Sequence, residues 1–457
     1  MEKQFQEQGG AATMDPSAVL RWLTSRLMRH VNSPGRLQRT RKRAERGRIK
    51  AGGRHSVEYF HKVEDGYSHL AAQVLKKLAE RYNIEFVCHL VSGPSGNNSP
   101  EPDLLLQLSR YDARKVASAY ELVFPSHPKS PDPVLVSLAE SVLAKQGNTE
   151  FLEHVEAVGT ALWSGDKAAL FQYAEQWGHA DTHLVQERIA RGNERLRALK
   201  HYSSAMFYYG GEWYWGVDRL YHLERRFRDL GLDQNAAAPP LVPRPTEVGK
   251  QKDNGSLTLE FFPSLRSPYT AISFDRTVQL AQDTGVSLVV RPVLPMVMRG
   301  VPATRQKGMY IFFDTAREAA AADVPFGNFY DPIGDPVRKG YALYYWACEQ
   351  GRGIEFFSAF LRCAFALGIN LNRRKGLQQA VEMAGLDWSA AQHHVDDRSW
   401  EAALEVNRRA MYEAGLWGVP SFRLMDEEGK ECLAIWGQDR LWLVAREIQR
   451  QLSARLN

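Results

Sequence analysis

"LEFFPSLRSPYTAISFDRTVQLAQDTGVSLVVRPVL", residues 259–294, decides the fold. It opens on an aromatic, apolar run suited to a strand, turns, and enters a helix at Ser267-Pro268. Serine is a favoured N-cap and proline a favoured first helical residue, because the N–H groups of a first turn lack partners within the helix. Apolar residues then recur at helical spacing as far as Gly285, and a β-branched run follows. Strand, helix and strand make a β-α-β unit with parallel strands and a right-handed crossover.

The same pattern occurs earlier in the chain. "VEYFHKVEDGYSHLAAQVLKKLAERYNIEFVCHLV" (57–91) sets Glu58, Phe60 and Tyr67 opposite Glu260, Phe262 and Tyr269 without a gap. A second pair of segments, "MFYYGGEWYWGVDRLYHLERRF" (206–227) and "FRLMDEEGKECLAIWGQDRLWLVAREI" (422–448), reads as two hairpins, each followed by a helix. Their turns lie at Gly210-Gly211 and Glu428-Gly429, and Trp215-Gly216 and Asp218-Arg219-Leu220 match Trp436-Gly437 and Asp439-Arg440-Leu441. Between these ends each half carries a long helical stretch. The expected class is α/β: two tandem domains, each with a helical insertion between a β-α-β and a β-β-α part.

The Pro-, Gly- and Ala-rich segment 231–256 reads as a linker. Domains are therefore expected at 55–230 and 257–457, after an extension over 1–54. In that extension "DPSAVLRWLTSRLMRHV" reads as a short amphipathic helix capped by Asp15, and 35–54 as a solvated, partly disordered basic run. The run accounts for much of the net charge of +5 in a chain of 457 residues. Nucleic acid is not expected to bind outside it, and an anionic membrane is its other conceivable partner. No secretory signal and no 18-residue apolar run is found, so a cytoplasmic protein with no membrane partner is expected.

The cysteines, Cys88, Cys348, Cys363 and Cys432, form neither Cys-x-x-Cys nor a zinc-ligand pattern, which excludes dithiol chemistry by a local motif. Cys348 and Cys363 read as small buried hydrophobes. Gly-rich phosphate loops, His-Glu-x-x-His and Gly-x-Ser-x-Gly are absent. His393-His394 beside Asp396-Asp397 read as exposed residues, and no metal is expected.

"FF…SPYT", "VVRPVL", "WGVPSF" and "WGQDR", in this order, resemble the thioredoxin-like DsbA superfamily. Within it they are most similar to the branch of 2-hydroxychromene-2-carboxylate isomerases and kappa-class glutathione transferases. The resemblance covers about 257–450, with about 55–230 as a diverged copy. It implies two thioredoxin-like domains and glutathione as co-substrate. Ser267 would stand where disulfide oxidoreductases carry their first cysteine and would donate to the glutathione sulfur; a helix N-terminus favours thiolate over thiol.

The resemblance further implies a cis peptide at Val419-Pro420, the Val419 backbone pairing with the cysteinyl backbone of glutathione. Asp439 would meet the γ-glutamyl ammonium and Gln438 the adjacent carboxylate. Among Arg291, Arg299, Arg305 and Lys307, Lys307 is the best candidate for a ligand carboxylate. Gly300-Val301 lies where the family usually has asparagine. Tyr269, Met296, Met298 and Trp417 are candidate substrate walls. In the first copy Asp65 takes the place of Ser267, and Tyr202-Ser203 that of Val-Pro, so that copy reads as degenerate and structural.

The implied activity is a glutathione-dependent isomerase or transferase acting on an electrophilic, aromatic-derived small molecule. The rivals are a disulfide oxidoreductase of the DsbA type, which lacks its cysteine pair, and a non-catalytic binding or scaffold protein. Because domains of this branch often pair, the two halves are expected to form an internal pseudo-dimer.

Overall fold

The computed structural model describes residues 15–126, 130–247 and 250–454. The chain divides into two compact units, one of residues 38–245 and one of the residues up to 37 together with those from 246 onward. We call them the N-terminal and C-terminal units. Helix α1 (Ala18–Val31) belongs to the C-terminal unit, and α2 (Pro34–Lys50) spans the division. The basic run is thus helical over most of its length, where a partly disordered linker was expected. Arg41 of α2 is paired with Glu212 at 2.8 Å, within the N-terminal unit. Asp15 does not cap α1; Ser17 does, accepting from the Leu20 N–H, while Asp15 is ion-paired to Arg21 and Arg338.

In the N-terminal unit the strands are β1 (Ser56–His61), β2 (Glu85–Leu90), β3 (Met206–Tyr209) and β4 (Glu212–Trp215), in the order β2-β1-β3-β4. Helix α3 (Gly66–Arg81) joins the parallel pair β1–β2, and the other pairs are antiparallel. The insertion contains α4 (Pro102–Ala117), α5 (Pro133–Lys145), α6 (Asn148–Ser164), α7 (Lys167–Trp177) and α8 (Thr182–Ala198), and α9 (Leu220–Asp229) follows the hairpin.

The C-terminal unit repeats this order. Its strands β5 (Thr258–Phe262), β6 (Ser287–Val290), β7 (Ser421–Met425) and β8 (Glu431–Trp436) are arranged β6-β5-β7-β8, with α10 (Pro268–Thr284) joining the parallel pair. Its insertion runs through α11 (Arg305–Ala321), α12 (Asp335–Glu349), α13 (Gly353–Arg362), α14 (Arg374–Met383), the short α15 (Trp388–Ala391) and α16 (Trp400–Glu413). Helix α17 (Leu441–Ala454) comes last.

Strand β5 is buried over Leu259–Phe262, as expected of a central strand with both faces covered. On one face Phe261 stacks on Phe422 and packs against Phe274 of α10, which in turn stacks on Phe357 of α13. On the other face Glu260, 2% exposed, is held by Arg291 at 2.5 Å and Arg423 at 2.6 Å. A buried carboxylate is tolerated when its charge is met, and two guanidinium groups meet this one. Helix α10 ends at Gly285, which has φ 73° and could not be replaced, because a Cβ would meet the Asp253 carbonyl at 2.3 Å.

Register corrects one equivalence. Glu58 faces Tyr208 and Phe60 faces Met206, just as Glu260 faces Arg423 and Phe262 faces Ser421. The residues standing where Val419-Pro420 stand are therefore Ser204-Ala205, not Tyr202-Ser203. The carbonyls agree: Pro420 accepts from the Gly437 N–H at 3.0 Å, and Ala205 from the Gly216 N–H at 2.7 Å. A loop of unequal length before the strand hides this from a residue-by-residue comparison, whereas a ladder fixes it.

The 231–256 segment is less of a linker than its composition suggested. Buried Glu224 accepts the Leu241 and Val242 N–H groups, each at 2.8 Å, and Arg81 donates to the carbonyls of Asn235, Ala238 and Pro239. From residue 250 on, Gln449 accepts the N–H groups of Lys250 and Gln251. A Pro-rich chain outside helix and sheet pairs little of its own backbone, so side chains of the unit in which each part lies pair it.

Candidate functional site

The site is built where α10 begins. Ser267 caps the helix, its Oγ accepting from the Thr270 N–H at 3.2 Å, and its carbonyl takes the first helical bond from Ala271. The same Oγ points its proton at the Val419 carbonyl, 3.5 Å away, across the cis Val419-Pro420 peptide. At that length the hydroxyl is only weakly engaged and can turn to a better acceptor. Ser267, Val419 and the helix end are thus brought together from residues 152 apart in sequence. Pro420 itself is buried and Val419 half-buried.

Two supports hold this arrangement, neither of them legible in the sequence. Tyr341 of α12 donates to the Val293 carbonyl at 2.6 Å and accepts from the Leu265 N–H at 3.2 Å, bracing the turn before Ser267. Arg266, next to the serine, makes a two-pronged pair with Asp331 at 2.8 and 2.9 Å. On the other side, Gly418 lets the proline loop lie against Trp436, since a Cβ there would meet the indole at 2.3 Å.

Lys307 lies in the first turn of α11, which Thr304 caps. Its ammonium stands 5.4 Å over the Trp417 ring, and burial lowers its pKa to about 8. Asp439 sits in the short turn Gln438–Arg440 that leads into α17, with the Arg440 guanidinium 3.5 Å away.

Other expected residues are otherwise engaged. Gln438, 1% exposed, donates to Glu318 at 2.9 Å and accepts from Arg276 at 3.4 Å, so its amide belongs to an internal network rather than to a ligand. Arg291 is bound to Glu260, and Arg299 is buried, donating to the carbonyls of Leu294 and Trp417. Arg305 is exposed. Met298 and Trp417 are core residues, 0% and 1% exposed, and cannot wall a cleft. Tyr269 and Met296 are half-buried, and the Tyr269 hydroxyl donates to Asp314 at 2.8 Å. Gly300 closes a short helical turn at φ 77°, and Val301 is buried.

Two expectations away from the site are corrected as well. Cys348 is exposed at the end of α12, although Cys363 is buried. His394 is half-buried, stacked on Trp346, and His393 alone is exposed. Surrounding protein desolvates each sulfur and pushes all four thiols up, Cys363 to about 12.

A family model matches residues 258–449, which hold the sheet β6-β5-β7-β8, the capped α10 and the cis proline facing it. Those residues form a DSBA-like thioredoxin domain.

Solved structures similar to the chain include a 2-hydroxychromene-2-carboxylate isomerase, at 20% identity and TM-score 0.37, over 44% of this chain and 99% of that one. Another is the cytosolic disulfide reductase DsbM of Pseudomonas aeruginosa, at 17% identity and TM-score 0.36, over 44% and 100%. The same reductase with GSH matches at 17% identity and TM-score 0.34, over 44% and 98%. No curated protein matches the chain.

In the N-terminal unit the place of Ser267 is held by Asp65, which caps α3 by accepting from the N–H groups of Tyr67 and Ser68. The hydroxyls of Ser68 and Ser204 also donate to it, at 2.8 and 3.0 Å. A carboxylate thus fills the anion position that the DSBA-like domain leaves to a hydroxyl.

Proposed function

We propose that the DSBA-like domain is an enzyme that uses glutathione as co-substrate to isomerise or conjugate an electrophilic, aromatic-derived small molecule. One observation carries this reading: the Ser267 hydroxyl stands at the N-terminus of a 17-residue helix, facing a backbone carbonyl from which it can turn away. The end of such a helix carries about half a positive charge and favours an anion. None of the four cysteines lies there, and none has a lowered pKa. The nucleophilic sulfur is what glutathione supplies.

The residues fit it in part. Ser267 holds the sulfur as thiolate by donating its proton, and the Val419 backbone pairs with the cysteinyl backbone. Lys307 meets a carboxylate and Asp439 the ammonium. Gln438 and Arg291 take no part, being bound within the protein. Tyr269 and Met296 remain as wall candidates beside the helix end. A disulfide-exchange function would need a reactive thiol at this helix, and the residue there is serine.

Titration calorimetry of the full chain with glutathione tests the reading. Millimolar or tighter binding that weakens in Ser267→Ala supports it, and no binding at 10 mM, on the order of a weak ligand's Kd, overturns it.

A further inference from the structure

Helix α1 is docked with its polar side inward. Arg21, 1% exposed, donates to the carbonyls of Asp331, at 2.9 Å, and Ile333, and is paired with Asp15 at 2.8 Å. Fully buried Ser25 accepts the Asp331 N–H at 3.0 Å and donates to the Arg21 carbonyl at 2.6 Å. At about 100° per residue these two share one side of the helix, and Val19, Leu20, Trp22, Leu23 and Leu27 share the other. Those five are 68, 52, 44, 52 and 51% exposed. An ordinary surface helix turns such a stripe toward the core. Here buried hydrogen bonds and an ion pair hold it outward, so the exposure is built in.

Charge indicates what covers the stripe. Between Asp15 and Glu45 the chain has no acidic residue. Arg26 stands in the stripe, 5.3 Å over the Trp22 ring, and exposed Arg36, Arg39, Lys42 and Arg43 follow in the chain. An apolar face with an interfacial tryptophan and a guanidinium group over its ring, continued in the chain by a basic run, matches the acyl boundary and headgroups of an anionic bilayer. A folded protein partner would match this face only if its apolar groove were itself acidic.

We propose that α1 is a surface-lying membrane helix that seats its apolar stripe in an anionic lipid surface, with the adjoining basic run adding electrostatic attraction. The sequence offers an anionic membrane to the basic run alone, and predicts no membrane partner beyond that because the chain holds no 18-residue apolar run. Among the described residues no helix is long and apolar enough to cross a membrane, and a helix that lies in the interface needs no such length.

Co-sedimentation of the full chain with vesicles tests this independently of glutathione binding. Phosphatidylcholine vesicles containing phosphatidylserine should bind at least about tenfold more tightly than phosphatidylcholine alone, and the gain should fade as salt screens the charges. Leu20→Glu with Leu23→Glu should abolish binding while leaving the circular dichroism spectrum and Tm unchanged, since both side chains are already in solvent. Arg39→Glu with Arg43→Glu should remove the preference for anionic vesicles. Equal binding to both vesicle types, or none to either, overturns the proposal. So does a stripe that serves self-association or RNA binding, seen as a dimer or an RNA complex that the leucine variant destroys while vesicles remain unbound.

Discussion

Asp65 and Ser267 cap equivalent helices, and the difference between them is a charge. Both accept from a first turn, Asp65 from the Tyr67 and Ser68 N–H groups and Ser267 from the Thr270 N–H alone, so both remove unpaired donors. Asp65 keeps the anion position for itself, whereas Ser267 keeps the cap and offers a proton. Ser267→Asp separates these roles: it should leave Tm nearly unchanged and repel a thiolate, lowering glutathione affinity at least about tenfold by calorimetry. Ser267→Ala should cost about 1 kcal/mol of stability as a lost cap. It should also weaken binding about 10- to 100-fold, the worth of a hydrogen bond to a charged group.

Lys307 gives a pH signature at the same scale. Its pKa of about 8 lies below the lysine value of 10.5 because burial disfavours the ammonium, so over pH 8–9 the free protein holds it from about half to about nine-tenths neutral. An anionic ligand at its side restores the charge. Binding of S-methylglutathione, which has no thiol to ionise, should therefore take up a proton near pH 8.5, roughly midway in that interval. Calorimetry in buffers of different ionisation enthalpy reads the uptake, and Lys307→Met should show less of it.

Among elements, the β1–α3–β2 region of the N-terminal unit carries the clearest dependence on acid. Burial lowers His61 to about 3 and His69 to about 4, below the ordinary 6.5, and it lowers His201, in the loop before β3, to about 3. The unfolded chain then binds protons that the fold refuses. Stability is complete above pH 6.5 and falls as pH drops toward 4. Asp65, raised by burial, works in the opposite sense. Glu58, raised by burial but brought down to about 2 by Arg195 and His89, acts only below its ordinary 4.5. Hydrogen exchange over residues 56–90 should show protection falling between pH 6.5 and 5, by at most about 1.4 kcal/mol per pH unit per histidine. His61→Phe should flatten that slope.

In the other sheet, Glu260 neutralises Arg291 and Arg423 across three strands. Glu260→Leu leaves two unpaired guanidinium groups. It should destabilise the C-terminal unit by about 3 kcal/mol, the low end of the range for a broken buried pair because both arginines reach solvent.

For the whole molecule, the order of tryptic cuts distinguishes helix from linker. A disordered 35–54 run would be cut first. As helix α2, with Arg41 on Glu212, it should survive longer than Lys250 and Lys252, which lie beside the division at 245–246. Mass spectrometry of early digests reads which bonds break. Composition missed the helix because like charges discourage burial, and α2 buries none of its residues. The run has a partner that composition cannot name: Arg41 is paired with Glu212, distant in sequence. The Pro-rich 231–256 segment misled in the same way, being held by Arg81, Glu224 and Gln449 rather than by its own pattern.

Local chemistry was enough for much of this protein. Caps, glycine stops and alternating strands follow from residues a few positions apart, so the strand–helix–strand plan, the serine at the helix start and the lack of a cysteine pair were legible in the chain. Pairing across distance was not. Only the ladder set Ser204-Ala205 opposite Val419-Pro420, because register is a relation between strands. Only packing withdrew Gln438, Arg291, Met298 and Trp417 from the site, because burial depends on what arrives from elsewhere. And only the fold turned α1 over: its periodicity announces an apolar face, but hydrogen bonds to Asp331 and Ile333, some three hundred residues away, decide that this face looks outward.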